Sequence, residues 1–364
     1  MKILNCSKGT KLAAILLFAF QAVAQEAVPF DASSLMIVDV HRHVQRWVSP
    51  SELEEEMKAL NIGWAGGVGA PYGPWDTQPY TQLLGNKYIA TTGQVTLTDI
   101  YRRKGVKGIE DPTTHDYVQL VEEANRLFEA KKIKGLGELI LNNQNSNPNP
   151  SFQRKAKIDS QGILQLLEVA KRWEGFVNIH AEDDPSSVQE LENIAASYPS
   201  VPMILAHCMF TANTSLIDGL LRKYPNLYCE MSARNDAMFM NHFAKQHAER
   251  LDWIVFGEKK LQPKWKDVIE KHPTRFMVGT DTFNSWVDVK KTVRQIRGGL
   301  LQNLSPTTAK LVASENAIRI MERFVEGTSS GTGKDTFRQM YATRIEAMLL
   351  GTFEEEEDEE DVED

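Results

Sequence analysis

The chain has 364 residues, of which 42% are hydrophobic and 25% are charged. This composition excludes a wholly disordered chain, a collagen-like fibre and a small protein held together by disulfides. The formal net charge is −8, but ten acidic residues fall within residues 354–364 and three lysines fall within the first 24 residues. The body between these ends is close to neutral. It offers no broad basic field, so we expect no nucleic-acid partner.

The N-terminal segment has the organisation of a cleaved secretory signal. Lysines 2, 8 and 11 precede an apolar run over residues 12–20, and a small-residue Ala-Val-Ala site follows at residues 22–24. This pattern predicts a signal peptide over residues 1–24, a mature chain that begins near Gln25, and a secreted or periplasmic location. The apolar run is about half as long as a membrane-spanning helix requires, so we expect no membrane anchor.

Between about residue 35 and residue 320, short β-branched runs alternate with amphipathic helical stretches, which is typical of parallel βα units. Helical periodicity is clearest over residues 114–131, 161–173, 188–198 and 216–224. The strongest predicted strands are 36–40, 133–141, 176–180, 202–207, 227–231 and 275–279, and weaker ones are 64–68 and 88–94.

Eight such units in one span predict a single-domain (β/α)8 TIM barrel of the α/β class, over residues 25–326. An open doubly wound sheet is the competing interpretation. That fold normally carries a glycine-rich phosphate turn after its first strand, and here the first strand leads into Asp39-Val-His-Arg-His instead. Residues 327–353 are predicted to form a linker and a peripheral helix, and residues 354–364 a disordered acidic tail.

Cysteines are too few for a disulfide framework. Once the signal peptide with Cys6 is removed, only Cys208 and Cys229 remain. We therefore expect two buried thiols. A bridge between them is the alternative if their segments are adjacent strands.

Chemically capable side chains stand at the ends of several predicted strands. His41 and His43 are two residues apart, so they project from the same face of the first strand and form a chelating pair. His180, His207 and Asp281 follow three further strands. Barrel enzymes place their active sites at the carboxyl ends of the strands, so these residues are expected to meet at one mouth and bind a divalent metal ion.

Carboxylates within apolar strands are a second group of candidates. Glu138 lies in the middle of the apolar run 133–141, where a charge is costly unless it is paired or bound to metal. We therefore expect Glu138 to be a metal ligand or to support one. For Asp39 and Glu230, a structural hydrogen bond and the orientation of a metal ligand are equally good interpretations.

The whole set of strand-end residues resembles the amidohydrolase superfamily of metal-dependent barrel hydrolases, and most closely its amidohydrolase-2 type. Residues 314–319 also resemble the short Asn-containing helix that commonly closes that domain. The resemblance covers residues 35–323 and rests on the motif Asp39-x-His41-x-His43 followed by His180, His207 and Asp281.

The resemblance implies roles for the matching positions. His41, His43, His180 and Asp281 would be metal ligands, and Asp281 would also transfer the proton. His207 would contact the substrate or hold a second ion. Binuclear members of the superfamily often use a carboxylated lysine as a bridge. Glu138 stands at that place in this chain, so the number of ions, one or two, stays open.

Metal-activated water is the chemistry that such a site supports, because a bound divalent ion lowers the pKa of water to near neutrality. The expected reaction is hydrolysis of an amide, lactone or ester bond in a small molecule. Zinc is favoured by three histidines, and manganese or iron fits nearly as well. A non-oxidative decarboxylase on the same barrel and a non-catalytic metal- or ligand-binding barrel are the alternatives.

Three arginines are candidates for binding the substrate. Arg42 and Arg46 lie close to the paired histidines, and Arg234 follows the seventh predicted strand. These cations would suit a substrate that bears a carboxylate. For each of them a salt bridge is the competing interpretation. A homo-oligomer is compatible with the sequence, which does not define the oligomeric state.

Overall fold

The computed structural model describes residues 30–44, 48–69, 78–282 and 288–322, without the side chains of residues 241 and 242. The predicted signal peptide, Arg46, and the predicted linker, peripheral helix and acidic tail lie outside the described residues. Among the described residues, no helix combines the length and the apolar character that are needed to cross a membrane.

Short parallel strands alternate with helices along the described chain. The strands are β1 Ile37–Arg42, β2 Ile62–Gly67, β3 Tyr88–Ile89, β4 Thr91–Gly93, β5 Gly135–Ile140, β6 Phe176–His180, β7 Met203–Leu205, β8 Leu227–Glu230 and β9 Phe276–Met277. The helices are α1 Pro50–Ala59, α2 Gln78–Leu84, α3 Gln94–Lys104, α4 Val106–Glu110, α5 His115–Glu129, α6 Gln161–Arg172, α7 Pro185–Ser197, α8 Thr214–Lys223, α9 Asp236–Met238, α10 Ala244–His247, α11 Pro263–Lys271, α12 Val289–Gln295, α13 Pro306–Lys310 and α14 Asn316–Met321.

The strands form one continuous parallel ring. β1 pairs with β2 and β2 with β3, while β4 to β9 pair in chain order. β3 and β4 are two halves of one strand, separated only by Ala90. The ring closes where Asp39 of β1 pairs with Val278 and the Val40 amide donates to the Val278 carbonyl at 3.1 Å. With β3 and β4 counted together, the described strands form the eight-stranded parallel barrel predicted from the sequence.

Amphipathic helices cover the strands, as their periodicity predicts. In α5 the buried residues Tyr117, Leu120, Ala124 and Phe128 are spaced so that they share one face. The last helix, α14, contributes to a buried cluster with β-strand residues. That cluster comprises Val38, Val40, Ile89, Phe176, Ile204, Met277, Ala317, Ile320 and Met321.

Two strand ends differ from the prediction in a way that matters for the site. β1 continues to Arg42, two residues beyond the predicted end, so the histidine pair begins inside the strand. β7 stops at Leu205, and residues 207–209 all adopt left-handed backbone angles, with φ of 54°, 50° and 52°. Such angles are uncommon for residues other than glycine, and they turn the chain sharply at His207.

The expectation of two free buried thiols is wrong. Cys208, in the turn after β7, forms a disulfide with Cys229 of β8, and their Cα atoms are 4.5 Å apart. β7 and β8 are hydrogen-bonded neighbours, with Leu205 opposite Cys229, which is the condition that the alternative interpretation required. The bond therefore joins the residues that directly follow His207 and directly precede Glu230.

Candidate metal centre

Six side chains from the carboxyl ends of five barrel strands meet in one buried cluster. His41 lies on β1 and His43 directly follows the strand, and their Nε2 atoms are 3.2 Å apart. Asp281 Oδ1 lies 3.5 Å from His41 Nε2 and 3.4 Å from His43 Nε2. His180, His207 and Glu138 complete the set. The structure thus brings together all the residues that the sequence analysis proposes as metal ligands, together with His207.

Glu138 lies between two groups of histidines. Its Oε2 atom is 3.7 Å from His41 Nε2 and 3.6 Å from His43 Nε2. Its Oε1 atom is 2.8 Å from His180 Nδ1 and 3.5 Å from His207 Nε2. Each oxygen therefore faces one pair of imidazoles, and each pair with Glu138 is spaced so that it could hold a metal ion. A carboxylate in this position can be shared by two ions.

Hydrogen bonds at the other ring nitrogen set the orientation of three histidines. His41 Nδ1 is 2.8 Å from Glu230 Oε1, and His43 Nδ1 is 2.8 Å from the Gly69 carbonyl. His207 Nδ1 is 2.8 Å from Ser232 Oγ, which itself donates to Glu230 Oε1. These partners accept hydrogen bonds from Nδ1–H, so the Nε2 atom of each ring points into the cluster, where a metal ion would take the place of a proton. This arrangement of supporting acceptors is the usual one around metal-bound histidine.

Glu230 organises one half of the cluster. It is fully buried and accepts hydrogen bonds from His41 Nδ1, from the His207 amide at 2.6 Å, and from the amide and hydroxyl of Ser232. The sequence left its role undecided between a structural hydrogen bond and ligand orientation. In the structure both hold, because the same carboxylate secures the turn after β8 and fixes the ring of His41.

The charges in the cluster are set by the carboxylates. Burial alone lowers the pKa of His41, but the Glu230 and Glu138 carboxylates outweigh that effect and raise the pKa to about 10. Burial raises the pKa of Glu230, and the neighbouring His41 imidazolium more than offsets it and lowers the pKa to about 2. The pKa of Glu138 lies well below its usual range for the same reason. Buried carboxylates that stay ionised provide a strong field for a cation.

Contacts between β1 and the segment after β9 position Asp281. The Asp39 carboxylate accepts hydrogen bonds from the Thr280 amide at 2.9 Å and the Thr280 hydroxyl at 2.6 Å. The Asp281 amide donates to the His41 carbonyl at 2.7 Å. Gly279 makes this approach feasible, because a Cβ atom there would lie 2.6 Å from the His41 Cβ. Asp39 therefore acts through Thr280 to hold Asp281 beside the histidine pair.

A further carboxylate that the sequence analysis did not single out shapes the loop above His180. Glu182 is fully buried and accepts hydrogen bonds from the Asn145 amide at 2.9 Å and the Ser146 amide at 2.6 Å. Ser146 Oγ then lies 3.3 Å from His180 Nε2. The signal in the sequence was the placement of Glu182 two residues after His180, directly beyond a strand end.

All members of the cluster except His41 line a cavity of about 310 Å³, which is large enough for a small molecule. One part of its wall is polar, one part is aromatic, and two arginines also reach it. The polar residues include Asn143, Ser146, Asn147 and Asn149, the aromatic ones are Phe152, Phe210 and Phe243, and the arginines are Arg102 and Arg154.

Two arginines predicted to bind substrate lie elsewhere. Arg42 alternates with the two histidines on β1, so it faces the other side of the strand and forms an ion pair with Glu56 at 2.7 Å. Arg234 is fully buried, donates to the Phe210 carbonyl at 2.5 Å and stacks on Trp265. Neither lines the cavity that the described residues form. The prediction is corrected for both, since their guanidinium groups are already used within the fold.

Comparisons with known proteins gave similarity to solved structures only. Neither a protein-family model nor a curated protein sequence matches the chain. An amidohydrolase from Burkholderia multivorans is 16% identical, with a TM-score of 0.42, covering 75% of this chain and 88% of that one. A probable 2-pyrone-4,6-dicarboxylic acid hydrolase from Acinetobacter baumannii is 11% identical, with a TM-score of 0.46, covering 78% and 96%.

A third solved structure, the 5-carboxyvanillate decarboxylase from Sphingomonas paucimobilis, is 13% identical, with a TM-score of 0.37, covering 74% of this chain and 82% of that one. The solved structures that resemble the chain include both hydrolases and a decarboxylase. At these TM-scores the similarities establish neither a family nor an activity for this chain.

Proposed function

We propose that the chain is a metal-dependent hydrolase that cleaves an amide, lactone or ester bond in a small, carboxylate-bearing substrate. The observation that carries the proposal is the meeting of four imidazoles with Glu138 and Asp281 in one cluster, all of whose members except His41 line one cavity. A purely structural role would not explain the cluster, because burying so many ionisable groups costs desolvation free energy.

The donor set fits a divalent metal ion. Glu138 forms one group with His41 and His43 and another with His180 and His207. Within each group the candidate donor atoms lie within 4.8 Å of one another, so they could share a metal ion. Nitrogen and oxygen donors of this kind suit zinc best, with manganese or iron close behind. The shared carboxylate supports one or two ions. When bound, such an ion supplies a Lewis acid that polarises a carbonyl and lowers the pKa of water to near neutrality.

The chain's own residues would supply the remaining steps. Asp281, 3.4 Å from His43 Nε2 and in the cavity wall, is placed to accept the proton of the attacking water and to deliver it to the leaving group. His207 lines the same cavity, and its Nε2 atom faces inward because Ser232 holds Nδ1. In this proposal a neutral His207 would hold the second ion through Nε2, whereas a protonated His207 would donate from Nε2 to the substrate carbonyl oxygen. Buried and fixed donors of this kind stabilise a developing oxyanion.

The test is product analysis with the metal-loaded protein and a panel of carboxylate-bearing esters, lactones and amides in water enriched in oxygen-18. We expect the label to enter the acid product. The Asp281→Asn variant should keep its metal and lose turnover by about a hundredfold or more, as expected when a general acid–base group is removed. Asp252→Asn is the matched control, since Asp252 is exposed and lies outside the cavity wall.

Carbon dioxide release without incorporation of label would contradict the hydrolase proposal and favour the decarboxylase alternative. Stoichiometric metal and ligand binding, with no product from any member of the panel, would favour a binding barrel. Equal turnover by the Asp281 and Asp252 variants would contradict the role assigned to Asp281.

We also propose that the mature chain begins near Gln25, after removal of residues 1–24, and functions in a periplasmic or extracellular compartment. The Cys208–Cys229 disulfide supports this location, since such bonds persist mainly in oxidising compartments. The expected domain is residues 25–326, followed by a linker with a peripheral helix at 327–353 and an acidic tail at 354–364. Mass determination of the protein isolated from its source would test the cleavage site.

A further inference from the structure

Arg154 is a buried arginine whose charge the described residues leave largely unpartnered. Only 6% of its surface is exposed. Its Nη2 atom donates to Thr98 Oγ1 at 3.3 Å, whereas Nε and Nη1 have no hydrogen-bond partner among the described residues. Buried arginines are normally paired with a carboxylate or with several carbonyl groups, as Arg234 is in this protein. Three N–H donors of Arg154 are therefore available.

The side chain is held in place rather than free to move to solvent. The Arg154 amide donates to Asn143 Oδ1 at 2.8 Å, and the Asn143 amide donates to the Arg154 carbonyl at 3.1 Å. The guanidinium lies over the ring of Tyr101, 4.9 Å from its centroid, and the Tyr101 hydroxyl donates to the preceding carbonyl, that of Gln153. These contacts fix both the backbone and the plane of the guanidinium, which is how a preorganised binding group is built.

Arg154 lines the cavity of the candidate metal centre, as Glu138, His207 and Asp281 do. Its unpartnered Nε and Nη1 atoms are buried within that part of the wall. Burial lowers the pKa of Arg154 to about 10, so the group remains a cation at neutral pH. The Glu138 carboxylate raises the pKa of Arg154 through its charge but already contacts His180 and His207. A cation in this wall thus lacks a counterion of its own.

We propose that Arg154 binds the carboxylate of the substrate, while the bond to be cleaved lies at the metal centre. Phe210 and Phe243, whose rings are in contact, line the same cavity, so the rest of the substrate is expected to be an apolar, aromatic or branched body. A planar carboxylate matches the fork of a guanidinium and gains charge-assisted hydrogen bonds. This inference deepens the proposed function and rests on it for the reaction, though the binding itself does not need turnover.

Binding of two small probes separates charge recognition from packing. Benzoate carries an aromatic body and a carboxylate, and benzamide has nearly the same shape without the charge. Dissociation constants are measured by calorimetry with the full chain, both metal-loaded and metal-stripped, because benzoate could also contact a metal ion directly. A contribution from Arg154 persists in the stripped protein, whereas a contribution from the ion does not.

In the metal-stripped protein, Arg154→Met should weaken benzoate binding roughly ten- to a hundredfold, the loss expected for charge-assisted hydrogen bonds. Benzamide binding should stay within about threefold. Arg154→Lys keeps the charge but not the planar fork of donors. Its affinity for benzoate should therefore lie between those of the wild-type protein and Arg154→Met. Arg103→Met is the matched control, because Arg103 is 58% exposed, pairs with Asp116 and lies outside the cavity wall. It should change benzoate binding by less than about threefold.

Equal losses for benzoate and benzamide in the Arg154→Met variant would overturn the proposal, because Arg154 would then support only packing. No difference between benzoate and benzamide in the wild-type protein would overturn it as well. If Arg154→Met does not fold, the Lys variant tests the guanidinium fork instead: benzoate binding should weaken while benzamide binding stays within about threefold, and equal changes for both would overturn the proposal. Failure of the hydrolase proposal looks different: Arg154-dependent benzoate binding would persist with no turnover of any ester, lactone or amide.

Discussion

Replacement of Glu230 by glutamine tests whether the centre depends on a supporting carboxylate that does not itself enter the cavity wall. Glu230 Oε1 accepts from His41 Nδ1, the His207 amide and the Ser232 hydroxyl, and Oε2 accepts from the Ser232 amide at 2.7 Å. Glutamine preserves the volume and one acceptor oxygen. It removes the charge and places an NH2 group against at least one N–H donor.

The magnitude follows from these contacts. With the amide oxygen at the Oε1 position, the Ser232 amide loses its acceptor, and one buried unpaired donor costs about 1–3 kcal/mol of unfolding free energy. His41 keeps its orientation less firmly and becomes a weaker base. Loss of a supporting partner to a metal-bound histidine typically weakens metal binding about ten- to a hundredfold. Both effects should appear in Glu230→Gln.

Competition of the protein with a chromophoric chelator measures the metal affinity, and urea unfolding of the metal-free protein measures the stability. Glu192→Gln is the control, since Glu192 pairs with Lys223 at the surface, and its effect on stability should stay within about 0.5 kcal/mol. A metal affinity unchanged within threefold in Glu230→Gln, despite reduced stability, would refute the orienting role of Glu230.

Three further predictions follow from the fold around the site. The Cys208→Ala, Cys229→Ala double variant should lose about 3 kcal/mol of unfolding free energy, because the disulfide closes a loop with a sequence separation of 21. Chemical denaturation measures this loss, and an unchanged free energy of unfolding would contradict the presence of the bond. Gly279→Ala should weaken metal binding, because the new Cβ atom would lie 2.8 Å from Glu230 Oε2 and displace that carboxylate. Chelator competition measures the affinity, and an unchanged affinity would contradict the close contact between residue 279 and Glu230. Hydrogen bonds from Lys271 and His272 lower the pKa of Asp218 to about 2. Its contribution to the free energy of unfolding is therefore present above the usual pKa near 3.8 and is lost as the pH falls toward 2. The stability gap between wild type and Asp218→Asn should narrow over that range in acid unfolding curves, and a constant gap would contradict the assignment.

The barrel was predictable because periodicity and strand-end chemistry depend on local sequence. His41 and His43 could be placed on one face of a strand from their spacing alone, and the positions of His180, His207 and Asp281 after strands implied their meeting at one mouth. The left-handed turn at His207 was not predictable, because no glycine marks it. The Cys208–Cys229 bond required knowledge of which strands are neighbours.

The substrate-binding arginines show where local sequence is insufficient. Arg42 is a candidate because it stands between two predicted metal ligands, and Arg234 because it follows a predicted strand, but alternation along β1 and burial direct them away from the cavity. Arg154 has no distinctive motif. Its place in the cavity wall follows from the path of the loop between β5 and α6, which Glu182 and Asn143 fix through hydrogen bonds.

The most direct test of the central claim is the metal content per chain, measured by plasma mass spectrometry on protein purified without chelator and again after incubation with zinc or manganese. The proposed centre, with Glu138 between two pairs of histidines, predicts at least one and at most two ions per chain. The His41→Ala, His43→Ala double variant should lose at least one of them and retain its fold. No bound metal in the wild-type protein, and no uptake of either ion, would contradict the assignment of this cluster as a metal centre.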